Sequence, residues 1–218
     1  RRRRIGNGCG FVYDDRPMTT PVHHRFLAIA PELSPSLHDA LHQLGPVELP
    51  VRDHVPFPEH LARAVAGQQL SVKAARSIWD RVETACSGAP LIESFCERGA
   101  DELRACGLSN AKVKTLLAIG EAARDGRLDG AALRALTPAE RAVELTSLWG
   151  VGQWTADMAN IFWFGEEDIW PDGDVAARKT LERLTSPRRK TARTAERFAP
   201  HRSYLALYMW RWVDARPD

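Results

Sequence analysis

The chain has 218 residues, enough for one domain with a buried core or for two small lobes, and its 44% hydrophobic and 27% charged residues are ordinary for a globular protein. No apolar run reaches the roughly 20 residues of a membrane span, and no basic start followed by an apolar stretch marks an export signal. These features point to a soluble protein, cytoplasmic and close to the nucleoid if the source is bacterial. The cysteines Cys9, Cys86, Cys96 and Cys106 match neither the paired short spacing of a zinc site nor an iron–sulfur run, so they read as reduced thiols. The net charge of +2 is unevenly spread, because five arginines in residues 1–17 face only Asp14 and Asp15. Within the near-neutral remainder, residues 178–202 carry Arg178, Lys179, Arg183, Arg188, Arg189, Lys190, Arg193, Arg197 and Arg202, opposed in that stretch only by Glu182 and Glu196. A basic segment on a neutral body suits a face that meets phosphates.

Residues 1–17 carry no periodic apolar pattern and contain Gly6, Gly8 and Gly10, so they are expected to be a disordered or non-native leader, with Met18 as a candidate start. From about residue 34 the pattern is helical. Leu61, Val65 and Ala66 recur at helical spacing, and beyond Gly67 a second helix carries Ala75, Ile78, Trp79 and Val82, with Ser71 as its N-cap. Ser109 is placed to cap a helix bearing Val113, Leu116, Leu117 and Ala123 that ends near Asp125-Gly126. Thr137-Pro138-Ala139-Glu140 combines a capping box with proline in the first turn. After a Gly-Val-Gly break at 150–152 an apolar helix is expected over 153–164, and residues 200–214 form a buried final helix. No alternating strand or fixed repeat is evident, so the expected fold is all-α.

Three segments carry chemistry. In Leu148-Trp149-Gly150-Val151-Gly152-Gln153-Trp154-Thr155-Ala156, two glycines one residue apart permit a tight turn between helices, because glycine accepts positive φ and close backbone approach. Amides at the start of the next helix then point outward together, an arrangement suited to a phosphate; an ordinary helix–turn–helix corner has the same pattern. Trp170-Pro171-Asp172-Gly173-Asp174-Val175 is a strong turn signal in which Asp174 can cap the following helix. It follows the first segment at a distance that leaves room for one helix. Ala66-Gly67-Gln68-Gln69-Leu70-Ser71 is a polar interruption whose glutamines are surface filler or, in a DNA-binding cleft, groups that reach base edges or fill a gap in the duplex.

In this order and at these separations the three segments resemble the helix–hairpin–helix superfamily of DNA glycosylases, in its 3-methyladenine, alkylation-repair branch. The resemblance covers roughly residues 55–215 and includes Cys106-Gly107-Leu108, the helix with Lys112 and Lys114, and Pro200-His201-Arg202-Ser203-Tyr204. It implies a compact two-lobed helical domain over 18–218 with the hairpin at 148–154 and a DNA- and base-binding cleft between the lobes, without an added β-rich N-terminal domain. Its partner is double-stranded DNA containing alkylated bases, and the protein acts as a monomer away from membranes.

The roles the resemblance implies are specific. Asp174 is the catalytic carboxylate, with Asp172 as the nearest rival. Gln68, Trp154, Met158, Val175 and His201 line the base pocket, and Gln69 is the wedge that fills the duplex gap. Gly150, Val151, Gly152, Gln153, Thr155 and Arg202 grip the DNA backbone. Relatives that cut the strand carry a lysine where this chain has Trp154, so base release without lyase activity is expected. No cofactor is expected, and with no cysteine beyond Cys106 no iron–sulfur cluster; the hairpin carbonyls of Thr146, Leu148 and Val151 suit a structural Na+ or K+. Trp149 where proline is common, Gln69 where an apolar wedge is usual, and His201 where some members have an aromatic bear on substrate range. Two alternatives stay open: a non-catalytic helix–hairpin–helix DNA-binding protein, or a glycosylase for a neutral oxidised, deaminated or mismatched base.

Overall fold

The computed structural model describes residues 20–86 and 90–215; the leader 1–17, Met18 and Cys9 lie outside them. In chain order the helices are α1 (Thr20–Leu33), α2 (Pro35–Leu44), α3 (Phe57–Gly67), α4 (Val72–Ala85), α5 (Ala100–Ala105), α6 (Asn110–Arg124), α7 (Gly130–Arg134), α8 (Pro138–Thr146), α9 (Gln153–Phe162), α10 (Val175–Leu184), α11 (Thr191–Ala195) and α12 (Arg202–Asp214). There is no strand among the described residues, as the all-α expectation requires. None of their helices is long and apolar enough to cross a membrane.

The helical pattern begins earlier than residue 34. Val22, Phe26 and Ala30 recur every fourth residue along α1 and are buried. The capping residues behave as their chemistry demands. Ser71, Ser109, Thr137 and Asp174 each accept the amide three residues on, and Glu140 returns its carboxylate to the Thr137 amide to complete the capping box. The helix after the glycine break ends at Phe162, two residues short of the expected 164.

The chain divides into two compact units, Arg52–Phe164 and the two flanking stretches up to Val51 and from Gly165. In the first, α3, α4, α6 and α9 surround an apolar core that includes Leu61, Val65, Trp79, Leu116, Ile119 and Ala159. Each such leucine or isoleucine taken out of water contributes about 1.5–3 kcal/mol. Arg141 is buried there: its Nε donates to Asn160 Oδ1 at 2.8 Å, its Nη1 donates to Leu136 O at 2.9 Å, and its guanidinium lies over the Phe164 ring. Asn160 Nδ2 also donates to Pro138 O, so α8 and α9 are tied together behind the turn that joins them. In the second unit α10 and α12 pack with α1 and α2, and Phe26, Phe198 and Tyr208 meet as an aromatic cluster.

Candidate functional site

Between α8 and α9 the chain turns tightly, with the Val151 amide donating to Leu148 O at 3.1 Å. Gly150 has φ +80 and its Cα lies so near α6 that a Cβ would stand 2.1 Å from Thr115 Oγ1. Conformation and space therefore both demand glycine here. Gly152 is different: nothing lies within 4 Å of where its Cβ would be, and no side chain caps α9. The amide-bearing start of this 10-residue helix thus opens beside exposed Gly152 and Gln153, where the partial positive charge of a helix N-terminus attracts an anion. Trp149 projects from the turn, and Lys114 from α6 places its Nζ 4.2 Å from the ring centroid.

The other residues expected around the hairpin sort by depth. Gln153 bonds through Nε2 to Asp157 Oδ1 at 2.8 Å, and burial pushes the Asp157 carboxyl up against the opposing effect of that bond. Trp154 is half-buried, whereas Met158 and Val151 are buried. Thr155 is buried too: its amide is bonded to Gly152 O and its hydroxyl accepts Gln68 Nε2 at 2.8 Å. Thr155 therefore holds the Gln68 loop, a placement that departs from the backbone-gripping role expected of it, because its donors face inward. Gln68 is half-buried, Gln69 is exposed with φ +57, and Leu70 beside it is 39% exposed.

In the other unit, Trp170–Asp174 forms the expected turn, closed by the Asp174 amide on Pro171 O at 2.8 Å. The two candidate aspartates are distinguished by environment. Asp172 is exposed and accepts from Trp170 Nε1 and Thr191 Oγ1, each at 3.3 Å. Asp174 is 9% exposed, and its Oδ1 accepts the Ala177 amide at 2.7 Å and Trp210 Nε1 at 3.0 Å. Two donors on one oxygen orient the carboxylate at this buried position. Trp210 enters the site only through the structure; in sequence it reads as one more apolar residue of α12. The available signal is chemical, since a buried indole N–H needs an acceptor.

Val175 is exposed beside Asp174. His201 Nδ1 and Tyr204 Oη both bond to Glu167, at 3.0 and 3.1 Å. Arg202 forks onto Asp168, Nε to Oδ1 at 2.7 Å and Nη2 to Oδ2 at 3.0 Å. The bonds from Arg202 and its charge outweigh burial and hold the Asp168 carboxyl below the usual range, so a phosphate meeting Arg202 must compete with a bidentate carboxylate. Arg188, Arg189, Lys190, Arg193 and Arg197 line a groove of about 550 Å3. Of these Arg197 pairs with Glu32. No group of acidic, histidine or cysteine residues among those described could hold a metal ion.

The family model of HhH-GPD superfamily base excision DNA repair proteins matches residues 62–201, spanning the Gln68 loop, the hairpin and Asp174. The chain belongs to that superfamily. It is 33% identical over 161 residues, 70% of this chain and 71% of the relative, to DNA-3-methyladenine glycosylase 1 of Schizosaccharomyces pombe. Among solved structures, an S. pombe 3-methyladenine DNA glycosylase in complex with abasic DNA superposes with a TM-score of 0.75 at 26% identity, covering 88% of this chain and 96% of that one. A DNA-3-methyladenine glycosidase from Bacillus halodurans gives 0.69 at 26% identity, covering 92% and 90%.

Proposed function

We propose that this protein is a monofunctional DNA glycosylase of base excision repair that extrudes alkylated purines of the 3-methyladenine and 7-methylguanine type from duplex DNA and hydrolyses their N-glycosidic bond. The observation that carries the reading is Asp174, a buried carboxylate oriented by Trp210 and the first turn of α10. As the bond from sugar C1′ to the base nitrogen breaks, positive charge develops on the sugar. A desolvated, fixed carboxylate beside C1′ stabilises that charge and orients the water that adds there. A base alkylated at a ring nitrogen is already cationic and departs as a neutral molecule, so one carboxylate suffices where sugar hydrolases use two. The names of the similar S. pombe and B. halodurans proteins agree with this substrate class.

Trp154 occupies the position where strand-cutting relatives have lysine, and without an amine no Schiff base forms with the abasic sugar. The product is then an intact abasic site. The indole of Trp154 offers an electron-rich face to a cationic purine. The hairpin amides and the Arg188–Arg193 segment supply phosphate contacts, and the protein works as a monomer. The hairpin carbonyls of Thr146, Leu148 and Val151 hold a structural Na+ or K+.

The test is base release from methylated duplex DNA, wild type against Asp174→Asn. Wild type should liberate methylpurine and leave an alkali-labile site, with no enzyme–DNA adduct trapped by borohydride. The variant should lose about 10²–10³-fold in single-turnover rate, the scale of removing one transition-state electrostatic contact. Undiminished release by Asp174→Asn ends the assignment of that residue, and a trapped adduct ends the monofunctional one.

A further inference from the structure

The loop Gly67–Leu70 leaves α3 in a conformation that its sequence does not favour. Gln69, a residue with a full side chain, has φ +57, a left-handed backbone that is unfavourable for any residue but glycine. Such a conformation persists only where the surroundings hold it. Here the loop is held at two points by elements far along the chain. From α9, Thr155 Oγ1 accepts Gln68 Nε2. From α6, Lys112 reaches across so that its Nζ donates to Ala66 O at 2.9 Å and to Gln68 O at 2.8 Å.

These two carbonyls flank the exit of α3, where helical carbonyls lack amide partners and the helix end carries partial negative charge. An ammonium is the natural cap for them. It straddles the exit, bonding one carbonyl on each side of Gly67 and fixing the direction in which the next residue leaves. Burial lowers the Lys112 ammonium's affinity for its proton, and the two charge-assisted bonds offset that cost. With the backbone clamped beneath, Gln69 and Leu70 stand exposed. Lys114, on the same helix, sits under Trp149 of the hairpin, and Thr115 meets Gly150. One helix therefore buttresses both the probing loop and the hairpin.

We infer that Lys112 is a positioning residue for base extrusion: by locking the exit of α3 it keeps Gln69 rigidly presented, so that the side chain fills the vacated duplex space without first having to be ordered. The inference rests on the glycosylase reading and on Gln69 as the gap-filling residue. Its energetic logic is preorganisation. A loop that must be ordered during extrusion subtracts that cost from the step, whereas a clamped loop does not. The benefit scales with how hard the base is to extrude. It should be large for a stacked, paired lesion and small for a mispaired one, whose unpairing cost is already reduced.

The experiment compares wild type, Lys112→Met and Lys112→Arg on two duplexes carrying a single 7-methylguanine, opposite cytosine or opposite thymine. The readouts are single-turnover release and the fluorescence of a 2-aminopurine placed beside the lesion, which reports extrusion. Lys112→Met should release the paired lesion about tenfold more slowly with a weakened fluorescence rise, and the mispaired lesion at nearly the wild-type rate. Lys112→Arg, whose fork can still reach both carbonyls, should recover most of the loss. An equal loss on both duplexes, or no loss on either, overturns the role. If Lys112→Met does not fold by thermal melting, Lys112→Gln, which keeps one donor, carries the same comparison. Failure of wild type to release base from either duplex defeats the glycosylase reading itself and is separable from these outcomes.

Discussion

In Arg52–Phe164 the candidate groups are set by backbone: Gly150 turns with φ +80 against Thr115, the start of α9 is left without a side-chain cap, and Lys112 grips two main-chain carbonyls at the end of α3. In the other unit side chains from elsewhere in the chain take part in holding the carboxylates, Trp210 on Asp174 beside its own α10 cap and Arg202 on Asp168. The two constructions suit different tasks. A DNA backbone presents the same phosphates at every sequence, and a rigid array of amides meets it without side-chain entropy to lose. A reacting sugar needs one charge placed to a fraction of an ångström, and a hydrogen-bonded, packed carboxylate supplies that.

Gly150→Ala should give the largest effect and would break the backbone side of this contrast. The new Cβ meets Thr115 Oγ1 at 2.1 Å in a φ region that disfavours side chains, and we expect a stability loss of about 3 kcal/mol together with weakened DNA binding. Thr115→Ala in the same chain removes the Oγ1 overlap, leaving the Thr115 Cβ position at 3.1 Å, but not the φ penalty. The double variant should therefore regain most, but not all, of the urea midpoint. Full recovery would show that space alone demands the glycine.

Trp210→Phe probes the side-chain construction. It keeps an aromatic ring in the core but removes the N–H that reaches Asp174 Oδ1, together with part of the buried indole volume. Loss of a hydrogen bond to a charged acceptor is worth about 1.5–3 kcal/mol, so single-turnover release should fall roughly 10- to 100-fold while affinity for abasic DNA stays near wild type. An unchanged rate would mean that the Trp210 bond is not needed to orient the carboxylate.

The same contrast explains what could be read from the sequence. The hairpin, the caps at Ser71, Ser109 and Thr137, and the Asp174 turn were legible because each depends on residues within a few positions of one another. Trp210 with Asp174, Arg202 with Asp168 and Lys112 with the α3 exit join residues whose proximity only the folded chain creates. Thr155 shows the limit most clearly. Its place after the glycines suggests a phosphate contact, but α9 rotates its hydroxyl inward to Gln68. α1 was missed because its apolar positions are interleaved with His23, His24 and Arg25, which dilute the pattern.

The smallest predicted effect separates the two units by pH. Burial, with the charges of Arg52 and Arg63 added, keeps His60 of α3 neutral and pushes it down to about 3. A base whose folded pKa is depressed stays unprotonated in the fold while the unfolded chain takes up a proton near 6.5. Stability from this group is therefore full above about 6.5 and drains as pH falls from there toward 3. Asp168 behaves oppositely in range: held below its usual value, it contributes stability above about 3.9 and loses it only as pH falls through the lower folded value. Between pH 7 and 5, then, α3 should lose about 1–2 kcal/mol of opening free energy by hydrogen exchange, corrected for intrinsic rates, while α12, where burial pushes Asp214 up to about 6 so that the fold takes up that proton in the same window, should lose none. His60→Gln should flatten the α3 response. Parallel losses in α3 and α12 would show that the two units open as one cooperative body, and the contrast drawn between their constructions would then end at the level of local contacts.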